Sequence, residues 1–132
     1  MDVKKVLIDT NIYSLAMKGE TGVVGILRKV ERIGISTISL GELYSGFTAG
    51  NKERQNRQEL DTFLNSPRVA LHSVDAETAD FYAFILNSLK QAGTPIPTND
   101  IWIAACAMQH GYKLFSRDKH FGYVQGILCL WE

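Results

Sequence analysis

The chain carries short, unbroken apolar runs at Val6-Leu7-Ile8, Ile33-Gly34-Ile35, Val69-Ala70-Leu71, Leu114-Phe115 and Ile127-Leu128-Cys129-Leu130. None alternates polar with apolar residues, as a strand with one wet face would. Brief continuous runs of this kind read as strands buried on both faces of a parallel sheet, which must be covered by helices on both sides. The intervening segments supply those helices. Ile12 to Lys18 reads as helical and is broken at Gly19 to Gly22. Val23, Val24, Leu27 and Val30 recur at helical spacing, as do Leu40, Leu43, Tyr44 and Phe47 before Gly50. Asn51 to Glu59 is wholly polar and is followed by Leu60, Phe63 and Leu64, the pattern of an exposed helix tethered at its C-terminal end. Asp75 to Gln91 predicts a long helix ended by Gly93, and Ile101 to His110 an apolar helix with Gly111 as its cap. The expectation is one α/β domain over residues 1–132, a central short parallel sheet with helices on both faces.

Bulk properties narrow the class. A chain of 132 residues with 45% hydrophobic residues suffices for one real core and gives no reason to expect disorder. Cys106 and Cys129 lie apart in apolar segments without zinc-type spacing, which predicts buried thiols in a reducing compartment. No apolar run reaches membrane-spanning length, and Lys4 and Lys5 precede too short an apolar run for a signal peptide, so a cytoplasmic location is expected. Lys and Arg number 14 and so do Asp and Glu, a balance without the basic footprint of most nucleic-acid binders.

Four acids interrupt this pattern where an apolar element begins or ends: Asp9 after Leu7-Ile8, Glu42 after Ser39-Leu40-Gly41, Asp100 after Thr98-Asn99, and Asp118 after Ser116-Arg117. Each has a purely structural explanation. Asp9 suits a helix N-cap, and Ser39 to Glu42 fits a capping box. Asp100 suits the first turn of a helix capped by Thr98, and Asp118 suits a turn. Asp75 has the same local character, is read as an N-cap alone, and is assigned no chemistry. Collectively the four say more. In an open parallel sheet, strand C-termini and helix N-termini share one edge, where ligands bind. Four carboxylates brought together there repel one another unless a cation is present, and an oxygen-only ligand set favours Mg2+ or Mn2+. With those four neutralised, 14 basic side chains face 10 acidic ones on the rest of the surface, enough to attract a phosphate backbone locally.

The order of these motifs resembles the PIN-domain ribonucleases and, within them, the VapC-type toxins of bacterial toxin–antitoxin pairs. Leu7-Ile8-Asp9-Thr10-Asn11 is similar to the opening strand and first acid of that family. Ser39-Leu40-Gly41-Glu42-Leu43-Tyr44-Ser45-Gly46 is similar to its second motif. Asn99-Asp100-Ile101-Trp102-Ile103-Ala104-Ala105 with His110-Gly111 resembles the third, and Leu114 to Phe121 the fourth. Ser116 stands where the family often has threonine and retains the hydroxyl. The likeness spans nearly the whole chain.

That resemblance implies Mg2+- or Mn2+-dependent cleavage of RNA. Asp9 and Asp100 would be the principal metal ligands, Asp118 would complete the shell, and Glu42 would orient or deprotonate the attacking water or act as a ligand itself. Asn11 and Ser116 would hold the carboxylates. Arg117, Lys119 and His120 would meet phosphates, with a solvated turn as the plain alternative. Lys52, Arg54 and Arg57 read as a solvated face, Trp102 and Tyr44 as packing residues, and His72 and His110 as structural. The resemblance also implies a homodimer and a cognate antitoxin whose C-terminal segment wraps the toxin. An apolar groove bearing Leu43, Tyr44, Phe47, Leu60 and Phe63 would receive that segment, unless the five pack on one another. The chain lacks a Walker loop and a Gly-x-Ser-x-Gly elbow, and Asn11 stands where an aspartyl-phosphate phosphatase needs a second acid. The alternative from another class is a non-catalytic PIN-like module that binds RNA or protein.

Overall fold

The computed structural model describes residues 4–127 and 129–130. The chain runs β1 (Lys5–Ile8), α1 (Thr10–Met17), α2 (Thr21–Lys29), β2 (Arg32–Ser36), α3 (Thr37–Ala49), α4 (Glu53–Leu64), β3 (Val69–His72), α5 (Ala76–Ala92), α6 (Thr98–His110), β4 (Lys113–Phe115), a 3-10 turn (Lys119–Tyr123) and β5 (Cys129–Leu130). The five strands form one sheet in the order β3-β2-β1-β4-β5, every pair parallel. Leu7 sits opposite Gly34 on one side and Leu114 on the other. The last apolar run is only partly a strand: Ile127 lies before β5, Leu128 lies outside the described residues, and pairing joins Leu114 to Cys129 and Phe115 to Leu130.

The apolar runs of β1, β2 and β4 are accounted for by cover on both sheet faces, whereas β3, at the sheet edge, is only partly covered and leaves Leu71 exposed, against the expectation of burial on both faces. Val6, Ile8, Ile33 and Ile35 pack with Ile12, Tyr13, Val23, Leu27, Leu40, Leu43 and Leu60 from α1 to α4. Leu7 and Leu114 point the other way, into Ile85 and Leu89 of α5 and Ile101, Ile103, Ala104 and Ala107 of α6. Alternate residues from Val6 to Ile8 therefore serve opposite cores, and only Lys5, exposed at the start of β1, is polar. α4 is polar along most of its length, and Leu60, fully buried, is its anchor. Cys106 is buried on α6, where desolvation pushes its thiol up to about 12; the Cys129 side chain lies outside the described residues. Among the described residues no helix is long and apolar enough to cross a membrane.

Two helix starts differ from the sequence reading. α3 begins at Thr37, with Ser36 as its cap: the Ser36 hydroxyl accepts the Ser39 N–H at 3.2 Å. β2 passes into α3 without a loop, so Ser39 falls inside the first turn, is fully buried, and cannot form a capping box with Glu42. α6 begins at Thr98 rather than after it. Pro97 is its cap residue, and the Pro97 carbonyl accepts the N–H groups of Asp100 at 3.1 Å and Ile101 at 3.2 Å. The ends agree with the reading: Gly93 and Gly111 adopt the left-handed conformation that closes α5 and α6.

Gly34 is required by a close approach. A Cβ at this position on β2 would lie 2.6 Å from the Tyr112 ring and 2.9 Å from a Leu7 methyl. Gly34→Ala is expected to cost about 1–3 kcal/mol, the usual penalty for overpacking a tight core. Urea unfolding monitored by circular dichroism checks it, and an unchanged midpoint would show that the ring can retreat.

Candidate active site

The strand order sets the position of the site. The chain builds outward from β1 to β2 and β3, then returns to place β4 on the other side of β1. The crevice between the C-terminal ends of β1 and β4 is therefore the switch point of the sheet, where open α/β folds bind ligands. Asp9 follows β1 directly and Asp118 follows β4 by three residues. α3 and α6 bring Glu42 and Asp100 toward the same edge.

Asp9 is 4% exposed. Its Oδ1 accepts the Ile12 N–H at 2.8 Å as the cap of α1, and its Oδ2 accepts the Ser116 hydroxyl at 2.5 Å. The helix cap and a place in the acid cluster thus coexist in one carboxylate, since each oxygen keeps a second lone pair. Burial raises the pKa of Asp9; the two hydrogen bonds oppose that rise, and the charges of Asp118 and Glu42 add to it. Ser116, fully buried, also accepts the Asp118 N–H at 2.9 Å, so one hydroxyl ties the strand ends together.

Asp100, in the first turn of α6, is also raised, first by burial and then by the charges of Asp118 and Glu42. Asp9 and Asp100 each feel both Asp118 and Glu42, and this mutual repulsion marks the four carboxylates as one electrostatic cluster. Glu42 sits on α3 with a donor on each oxygen. The Thr10 hydroxyl donates to Oε1, and the Asn99 amide donates to Oε2 at 3.2 Å. Asp118 caps the 3-10 turn by accepting the His120 N–H at 2.9 Å. The tightest group contains a residue that the sequence reading sent elsewhere: ligand atoms of Asp100, Asp118 and His120 lie within 4.8 Å of one another.

The remaining side chains are distributed as follows. Asn11 is exposed, and its neighbour Thr10 is the residue that reaches an acid. Arg117 is bound to Glu20, the cap residue of α2. Lys119 is exposed. Trp102 stacks on Tyr82 with ring centroids 4.0 Å apart, and the Arg57 guanidinium lies 4.1 Å over the Tyr44 ring. His72 stacks on His110 at 4.0 Å and bonds the Tyr112 hydroxyl at 2.7 Å, both histidines being half-buried. The five apolar residues of α3 and α4 divide. Leu43 and Leu60 are core, while Tyr44, Phe47 and Phe63 pack around them half-buried. The open groove lies beside them, lined by Tyr13, Met17, Phe47, Gln55 and Glu59, with a volume of about 470 Å³. A second open groove of about 560 Å³ runs past Glu42, lined by Thr37, Ile38, Gly41, Ser45 and Asn99. Thr10 and Asn99 are site neighbours to which motif reading gave no role, and His120, expected to meet phosphates, lies beside the acids instead. Each lies within one or two residues of a motif acid, and that adjacency was the available signal.

The family model described as the PIN domain matches residues 6–127. The chain belongs to the PIN-domain family. Among curated relatives, this PIN-domain chain is 30% identical over 139 residues to VapC ribonuclease Y4jK of Sinorhizobium fredii, covering 96% of this chain and 98% of that protein. It is 25% identical over 132 residues to ribonuclease VapC4 of Mycobacterium tuberculosis, covering 96% of each. Among solved structures, a chain in the crystal structure of VapBC2 from Rickettsia felis bound to a promoter DNA fragment superposes with a TM-score of 0.87. That match has 27% identity and covers 97% of this chain and 99% of that one.

The donor set fits a hard divalent cation. Clustered carboxylates at the mouth of a sheet, two of them raised in pKa by burial and by the charges of Asp118 and Glu42, are stabilised by a cation that neutralises them. Among the described residues, carboxylate oxygens of Asp100 and Asp118 lie close enough to share such an ion.

Proposed function

We propose that this PIN-domain protein is a metal-dependent endoribonuclease of the VapC toxin type, held in check by a cognate antitoxin. The observation that carries the reading is the convergence of Asp9, Glu42, Asp100 and Asp118 at the β1/β4 switch point of a chain whose full-length relatives are named VapC ribonucleases. Asp9, Asp100 and Asp118 hold Mg2+ or Mn2+. When bound, the cation lowers the pKa of a water and offsets charge developing on the phosphate. Ser116 locks Asp9 and the Asp118 backbone in place. Glu42, steadied by Thr10 and Asn99, orients or deprotonates the attacking water. The groove beside Glu42 admits the RNA strand, with Lys119 and Arg117 near its phosphates and Asn11 at the exposed rim of the site.

Transfer RNA or ribosomal RNA in the cytoplasm is the substrate class. The working assembly is a homodimer in complex with the antitoxin, whose segment lies in the groove between α1 and α4. The Rickettsia felis structure is of a VapBC pair, and this supports a protein partner for the present chain. The test is to sequence RNA 5′ ends after brief expression of the wild type beside Asp100→Asn. Discrete new ends in the wild type alone are expected. Identical ends in both would favour a PIN-like binding module that does not cut.

A further inference from the structure

Carboxylate oxygens alone do not make up the tightest group of ligand atoms at the site, which includes a nitrogen. His120 Nδ1 lies 3.2 Å from Asp118 Oδ1 and 3.6 Å from Asp100 Oδ2. Adjacent ligands of a six-coordinate ion of this size sit about 3 Å apart, so these atoms are already spaced as neighbours around a common centre. We propose that His120 is a direct ligand of the cation through Nδ1, beside Asp100 and Asp118, and that it makes this site prefer Mn2+ to Mg2+. The inference rests on the metal-centre reading and deepens it.

The placement of the ring follows from the local fold. Asp118 caps the 3-10 turn by accepting the His120 N–H, which fixes the backbone of residue 120 against the acid beside it. The next residue, Phe121, is 1% exposed and packs into the α5/α6 core, so the turn cannot roll. With Phe121 pinned inward, His120 projects from the open side toward the carboxylates. Its side chain is 49% exposed, so the ring can settle by a fraction of an ångström without disturbing the core. Of the two tautomers, the one with its proton on Nε2 presents the Nδ1 lone pair to the acids.

The chemistry discriminates between cations. Mg2+ demands oxygen ligands and gives up water reluctantly, so an imidazole adds little to its binding. First-row transition ions accept imidazole nitrogen readily, and a mixed carboxylate and imidazole shell selects them over Mg2+. A phosphate-binding role for His120 would place the ring toward solvent, away from the acids.

The experiment is pulsed electron paramagnetic resonance of the Mn2+-loaded protein, with calorimetric titrations of Mn2+ and Mg2+ on wild type, His120→Gln and Asp100→Asn. Wild type is expected to show nitrogen modulation of the Mn2+ echo that changes frequency when histidine is 15N-labelled, and His120→Gln to lack it. The assignment is unambiguous. The chain has three histidines; His110 ends α6, about 15 Å along the helix axis from Asp100, and His72 is stacked on it. His120→Gln is expected to weaken Mn2+ binding by about tenfold or more, a loss on the scale seen when a ligand's support is removed, and to change Mg2+ affinity by less than about twofold. Nitrogen modulation absent from wild type, with Mn2+ bound and lost in Asp100→Asn, overturns the inference and leaves the metal centre standing. Equal weakening of both cations in His120→Gln overturns the selectivity and assigns His120 to positioning Asp118. Failure of wild type to bind Mn2+ overturns both the inference and the reading on which it rests. Because His120 is half-exposed, the variant is expected to keep the wild-type thermal midpoint.

Discussion

Asp9→Asn is expected to lower RNA cleavage by about a hundredfold to a thousandfold, the scale of losing one charge-stabilising group from a preorganised site, while leaving the fold intact. The asparagine oxygen can still accept the Ile12 N–H that caps α1, and asparagine is as good a cap as aspartate. Its amide faces the Ser116 hydroxyl, where the aspartate Oδ2 now accepts. What disappears is the negative charge at the mouth of β1, and with it the hold on a cation. Cleavage of a total RNA preparation in Mg2+ or Mn2+, followed by growth after induced expression, measures the effect. Asp75→Asn is the matched control. Asp75 caps α5 through the Thr78 N–H and accepts the Gln109 amide at 2.9 Å, outside the cluster, so the same exchange there is expected to leave cleavage unchanged. Substantial cleavage by Asp9→Asn, or by the wild type in a chelator, would exclude metal-assisted hydrolysis at this site.

The two aspartates show what can be read from sequence and what cannot. Both are N-caps by local rule, and local pattern does not separate them. Their difference lies in topology: Asp9 ends the central strand beside the switch point, whereas Asp75 follows an edge strand. The parallel sheet was legible because strands buried on both faces have no polar position to interrupt an apolar run. The strand order was not legible in the same way: Val6 to Ile8, fully buried, takes the centre, yet the equally apolar runs at Val69 to Leu71 and Ile127 to Leu130 lead to the two edges. Helix starts were less legible. Ser36 and Ser39 are equally good caps by composition, and the choice between them depends on β2 entering α3 without a loop. Side-chain partners across long sequence separations were not legible at all. Thr10 reaching Glu42, Arg117 reaching Glu20 and His120 turning toward Asp100 each depend on how loops meet at the sheet edge. Their residue types offered no clue, because threonine, arginine and histidine are equally at home on a solvated turn.

The second large effect concerns stability. Asp9 and Asp100 are raised in pKa by burial and by their acidic neighbours, so each folded carboxyl holds its proton to higher pH than the unfolded one, near 3.9. Between that value and the raised folded value the native state binds more protons, and stability falls as pH rises. Above the folded value the whole penalty is present. Metal-free Asp9→Asn is therefore expected to be more stable than metal-free wild type at pH 7.5, with the gap closing as pH falls toward about 4. The comparison must be a difference between the two proteins. His72, lowered mainly by burial, loses stability on acidification, and Glu20 and Asp75, lowered chiefly by backbone hydrogen bonds, do so at still lower pH; all three cancel in the difference. Adding cation reverses the order. At a hundredfold excess over its dissociation constant, Mn2+ is expected to stabilise wild type by about 2.7 kcal/mol, roughly 8 °C in Tm for a domain of this size, and Asp9→Asn by far less. Thermal unfolding across pH 4 to 8, with and without Mn2+, reads both signs. A metal-free wild type already more stable than Asp9→Asn at pH 7.5 would mean that the four carboxylates are relieved by something other than a cation. The pocket would then have a different resident, and the chemistry assigned to it would change with it.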